Sequence, residues 1–181
     1  VDVAARARLL ESSDAELVKK ARALFATDSG ERAKVMASYQ DALALNGDPV
    51  HGKAVFEEHC SRCHSPRKQG GRVGPDLSGV NNKTKEELLK AILDPSAAIE
   101  PRFVNYMVTA KDGQVYDGVI ANETPAAITL RGGTEEGDQT ILRRNVAEVR
   151  ASSISLMPEG LEKSVNKKDM ADLISYLRAG L

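Results

Sequence analysis

The 181-residue chain has no tryptophan, and aromatic residues make up only 4% of it. A surface for stacking single-stranded bases is therefore not expected. Its charges nearly cancel, with 25 Lys and Arg against 26 Asp and Glu. That balance gives no basis for nucleic acid or an anionic membrane surface as partner. No apolar run approaches the roughly 20 residues a membrane-spanning helix needs. The numbering opens at Val1, which fits a mature chain or an excised fragment. There are only two cysteines, Cys60 and Cys63, three positions apart. This excludes a disulfide framework and leaves the pair to be explained by other chemistry.

Regular structure is legible at both ends of the chain. Ser13 with Glu16 reads as a capping box for a helix carrying Leu17, Ala21, Leu24 and Phe25, which Asp28-Ser29-Gly30 should break. A second helix is expected from about Glu31 to Leu45, stopped by Asn46-Gly47 and paired antiparallel with the first. Asp48-Pro49 should start a helix leading into Cys60, and Thr84 with Glu87 should cap one through Leu88, Leu89 and Ile92. Between Pro101 and Arg150 the pattern changes to short alternating segments with Asp112-Gly113 as a turn, the mark of a small antiparallel sheet or barrel. Asn166 should cap a last helix whose stripe is Met170, Leu173, Ile174 and Leu177.

Cys60-Ser61-Arg62-Cys63-His64 is a C-x-x-C-H run, the attachment pattern for a covalent c-type haem. Two thiols about one helical turn apart reach the two vinyl groups on one porphyrin edge, and the next residue projects an imidazole towards the iron. Competing readings lack parts. A structural zinc site wants four ligands, an iron–sulfur cluster normally four thiolates, and no βαβ pattern surrounds the pair as in a thioredoxin-like site. Gly74-Pro75-x-Leu77, about ten residues on, resembles the loop of class I cytochromes c whose proline carbonyl accepts a hydrogen bond from the proximal imidazole.

Met157, followed by Pro158 in a loop before the last helix, is the leading candidate for the sixth ligand, since class I cytochromes place their axial Met in such a loop. A vacant position or another ligand is the alternative. Met36 and Met170 fall within helical patterns, Met107 on the polar phase of its strand, His51 at a helix start and His59 beside Cys60. Arg72 is a candidate partner for a haem propionate. Leu77 and Leu156, with Val73, Ile92 and Leu161, are candidates for the haem wall.

Together, Gly52-Lys53-x-Val55-Phe56, Cys60 to His64, Val73 to Leu77, Ile92 to Ser96, Asp112-Gly113, Gly118 and Ser155 to Leu161 resemble the haem-binding domain of planctomycetes and verrucomicrobia (the Pirellula/Verrucomicrobium type). The resemblance implies an α+β chain, mainly a class I cytochrome c fold, with an N-terminal helical segment at 1–46. The cytochrome domain would be 47–181, interrupted by a β insertion at 101–150. It implies one covalent haem c, with His64 and Met157 as axial ligands. Electron transfer rather than enzymatic turnover is expected, with a redox protein or a fused dehydrogenase domain as donor or acceptor. Attachment of this kind implies a periplasmic or otherwise exported location. The alternative function is a ligand-binding haem sensor or a peroxidase-like enzyme with a labile sixth ligand. The insertion is expected to cover the haem edge and hold the Met157 loop, with partner docking as its other reading.

Overall fold

The computed structural model describes residues 9–10, 12–25, 28–64, 73–132 and 137–180. Its helices are α1 (Ala15–Phe25), α2 (Asp28–Ser38), α3 (Pro49–His59), α4 (Lys85–Leu93) and α5 (Lys167–Ala179). Between α4 and α5 lie β1 (Asn105–Ala110), β2 (Val115–Glu123), β3 (Ala127–Arg131), β4 (Asp138–Leu142) and β5 (Val146–Ala151). The chain is α+β, as expected, with all five strands antiparallel in the order β4-β3-β2-β1-β5.

Most helix starts follow the capping chemistry of the sequence. The Asp48 carboxylate accepts from Val50 N at 2.9 Å, with Pro49 in the first turn, where its missing N–H costs nothing. Thr84 and Glu87 form the reciprocal capping box, and Asn166 with Asp169 forms another. Three expectations shift. The cap of α1 is Asp14 rather than Ser13, its carboxylate accepting from Glu16 N at 2.9 Å and Leu17 N at 3.2 Å. A charged acceptor serving two N–H groups at the positive helix end outcompetes a hydroxyl. Asp28-Ser29-Gly30 opens α2 instead of separating the helices, and the side chains of Leu24 and Phe25 lie outside the described residues. Helix α2 ends at Ser38 and gives way to a tighter 3-10 turn at Gln40–Ala44, because Tyr39 is drawn inward and its hydroxyl donates to Val165 O at 2.7 Å.

The main core joins segments far apart in sequence: Tyr39 and Ala42, Val55 and Phe56 of α3, Leu88, Leu89, Ile92 and Leu93 of α4, and Met170, Leu173, Ile174 and Leu177 of α5. Tyr39 and Ala42, which precede the expected boundary at residue 46, belong to this same core. Helices α3 and α5 pack most extensively. Their backbones touch: a Cβ on Gly52 would collide with the Asp172 carbonyl, and one on Gly47 with that of Ala171. Gly47 thus serves close approach rather than helix termination. Phe56 and Tyr176 extend the contact with tilted rings 5.6 Å apart. Asp172 is buried at the crossing, where it accepts from Asp48 N at 2.6 Å, meets His51 Nδ1 at 3.0 Å and pairs with Lys168. Burial raises its carboxyl pKa, but the bonds from Lys168, Asp48 N–H and His51 outweigh this and hold it below its ordinary value.

The sheet has its own core of Val108, Ile128, Leu130 and Ile141, bordered by Tyr106, Tyr116, Ile120 and Val146. Strand β1 breaks the expected alternation, because Asn105 and Met107, on the opposite phase from Val108, are buried too. It lies between β2 and β5 and is covered on both faces, so apolar-in, polar-out patterning does not apply to it.

Gly52→Ala should destabilise the protein by roughly 3 kcal/mol, because the new methyl meets backbone that cannot yield. Urea unfolding monitored by circular dichroism checks this, and Lys53→Ala on the exposed face of α3 should be near neutral by the same measure.

Candidate haem site

The C-x-x-C-H run forms a closed turn at the end of α3. Cys60 caps the helix with its N–H on Phe56 O at 2.9 Å, and Ser61 N shares that carbonyl at 3.0 Å. Cys60 O then accepts from Cys63 N at 3.1 Å and His64 N at 2.9 Å. Gly74 N bonds Cys63 O at 3.1 Å, which brings Pro75 back beside the motif. Both thiols are half-buried and free. Burial, with Cys63 adding, pushes the Cys60 thiol up to about 11. Redox-active cysteine pairs show the opposite tendency.

His64 is buried, and its Nδ1 lies 3.0 Å from Pro75 O. A carbonyl only accepts, so Nδ1 carries the proton and Nε2 keeps its lone pair. Burial lowers the imidazole pKa against the opposing pull of the Pro75 carbonyl, which favours the neutral ring that a metal requires. The ring lies against Gly74, where an added Cβ would stand 2.5 Å from Cε1 and 2.7 Å from Nδ1. Gly74 is therefore a cradle for the imidazole, and the Pro75 bond sets its rotation. A buried histidine held through Nδ1, which leaves Nε2 as the ligating nitrogen, with two free thiols on the preceding turn, fits a covalently attached haem.

Across the main core, Cys60, Leu77, Val80, Met157 and Leu161 pack on one apolar cluster. The structure thus brings Met157 and Leu77 onto the cluster that bears the first cysteine, while Leu156 is half-buried in the same loop. Arg72 lies outside the described residues. The Met157 loop is anchored internally and externally. Met157 N bonds Ser155 Oγ at 3.1 Å, Ser155 N bonds Ser96 Oγ at 3.3 Å, and Ser96 Oγ donates to Glu159 at 3.2 Å. Beyond it, Glu162 receives both arms of Arg32 at 2.6 and 3.1 Å.

Sequence reasoning missed several of these supports. Ser96 had a signal, as part of Asp94-Pro95-Ser96; Arg32 and Tyr39 had none, since their partners are more than 60 positions away. Asn105 was also missed. It is fully buried, and neither amide atom has a hydrogen-bond partner among the described residues, while its backbone carbonyl accepts from Ser152 N at 2.8 Å. A cleft of about 810 Å³ separates Gly74, Pro75 and Asp76 from Phe103, Tyr106 and Val119, so the sheet stands against the loop that supports His64.

Residues 49–123 match the cytochrome c family model. The match is less than half of the chain and ends with the last residue of β2, so it takes in the C-x-x-C-H turn and the Gly74-Pro75 loop but stops short of Met157. A cytochrome c-553-like protein of Synechocystis sp. is 31% identical over 62 residues, which is 34% of this chain and 58% of that protein. The chain therefore aligns with little more than half of this cytochrome c relative. The match supports haem-based electron transfer as the chemistry of this region. Among the described residues no helix is long and apolar enough to cross a membrane.

The Arg32–Glu162 pair makes the loop sensitive to acid. The guanidinium holds the Glu162 carboxyl below its ordinary 4.5, against the opposing effect of burial. The pair's contribution is complete above that ordinary value and is lost as the pH falls through the lowered folded one. Urea unfolding between about pH 5 and pH 3 should therefore show a steeper loss of stability in the parent than in Glu162→Gln.

Proposed function

We propose that this chain is a c-type cytochrome unit that carries one haem c and passes electrons by outer-sphere transfer. Thioether bonds from Cys60 and Cys63 would hold the haem, with His64 Nε2 and the Met157 thioether as axial ligands. The observation that carries this reading is the imidazole of His64, neutral, seated on Gly74 and bonded through Nδ1 to Pro75 O at 3.0 Å. A metal-ligating histidine is oriented in this way by the hydrogen bond at its other nitrogen, which also sets its basicity.

When bound, haem supplies a one-electron ferric–ferrous couple, and the protein's part is to keep its surroundings the same in both states. His64 has little freedom to rotate between Gly74 and Pro75. Met157 presents a soft thioether, which raises the reduction potential. Its loop is tied down at Ser96 and Glu162, so the sulfur's position is set before any electron arrives. Leu77, Val80 and Leu161 supply an apolar wall that excludes water and disfavours the more highly charged state.

The cytochrome unit would be residues 47–181, with 101–150 inserted between α4 and the Met157 loop. Covalent attachment through such a motif supports an exported, periplasmic or comparable, location. A redox protein or a dehydrogenase domain on the same polypeptide would supply the electrons, by the resemblance of the motifs to planctomycete-type haem domains.

Optical spectra of the haem-loaded protein and of Met157→Ala test the ligation. The parent should show a weak far-red sulfur-to-iron band when oxidised and no shift with carbon monoxide when reduced. In Met157→Ala the band should vanish and carbon monoxide should bind. A parent that is high-spin, or that binds carbon monoxide readily, would overturn His/Met ligation.

A further inference from the structure

We infer that Arg32 is a positioning residue for Met157, acting from outside the cytochrome c match to pin the exit of the ligand loop. The inference rests on the ligation proposed above. Two short segments meet at this point: Leu93 to Ser96, where α4 ends, and Ser155 to Glu162, which carries Met157. The entry of the loop is fastened by Ser96, whose hydroxyl accepts from Ser155 N at 3.3 Å and donates to Glu159 at 3.2 Å. The exit is fastened by Arg32. One of its nitrogens donates to Leu93 O at 3.2 Å and to Glu162 at 3.1 Å, and the other donates to Glu162 at 2.6 Å. Both ends of the loop are thus tied to the same post at the end of α4.

The geometry is that of a strong tie rather than an incidental surface pair. The contact is bidentate, and the two side chains are only 12% and 13% exposed. Glu162 could leave only by exposing a desolvated guanidinium, which penalises any loop movement that withdraws it. Tyr39, seven residues along the same segment, reinforces the arrangement with its hydroxyl near Glu162 O at 3.2 Å and Val165 O at 2.7 Å. Val165 leads directly into α5, so Tyr39 holds the fixed end while Arg32 holds the movable one. Lifting Met157 off a metal would require the loop to give way at Ser96 or at Arg32.

Imidazole binding to the ferric haem-loaded protein reads this directly, because imidazole reaches the iron only when Met157 has left. Arg32→Gln should bind imidazole about tenfold more tightly than the parent, the effect of losing a charge-assisted pair. Arg32→Lys, which keeps charge but not the fork, should fall between them. Tyr39→Phe, which keeps the buried ring, should show a smaller shift in the same direction. Ile128→Val lowers stability in the remote sheet core and should leave imidazole affinity unchanged, which separates positioning from general loosening. Parent-like affinity in both Arg32→Gln and Tyr39→Phe, with Met157→Ala binding imidazole tightly, would overturn the role of Arg32 and leave the ligation intact. Parent-like affinity and spectrum in Met157→Ala would overturn both.

Discussion

The close crossing of α3 and α5 is the constraint on which the rest of the molecule depends. Gly47 and Gly52 let two backbones meet where any side chain would separate them, and the Asp172 carboxylate joins the start of α3 to α5 through Asp48 N–H and His51. The C-terminal end of α3 becomes the Cys60 turn, and the approach to α5 is the Met157 loop. Fixing the two helices therefore fixes the two sides of the candidate haem site relative to each other. The bond from His64 to Pro75 and the ties at Ser96 and Arg32 refine a separation that this crossing has already set.

Local chemistry was readable where it is local in sequence. The caps at Asp48, Thr84 and Asn166 each satisfy N–H groups within three residues, so their patterns carry the information, and the C-x-x-C-H turn closes on itself in the same way. The apolar stripes of α4 and α5 were legible because one face of each is buried. The break at Tyr39 was hidden because it is caused by carbonyls at 162 and 165, beyond the reach of any window. The double-sided burial of β1 was hidden for a related reason: a strand covered on both faces carries no period-two signal, so Asn105 and Met107 read as outward residues.

The sheet is more than an appendage. It has a separate apolar core, yet its first strand shares a cleft wall with Gly74 and Pro75, and Ser152, at the end of β5, bonds back to the start of β1 before the chain enters the Met157 loop. The sheet thereby returns the chain close to where it departed from α4. Within it, Asn105 is a buried amide with no hydrogen-bond partner on either side-chain atom among the described residues, a rare condition in well-packed protein interiors.

The Ser96–Ser155 tie spans 59 positions and encloses all five strands. Bringing such distant ends together costs little more entropy than closing a loop half as long, because the cost grows only with the logarithm of length. The range of the contacts is another matter. Helix α3, the cysteine turn and α4 close between neighbouring residues, whereas the Met157 loop is tied to its post across the whole sheet. The two sides of the site therefore differ in kind, the Cys60 turn resting on local contacts and the Met157 loop on a long-range one, the sort of contact that slows folding.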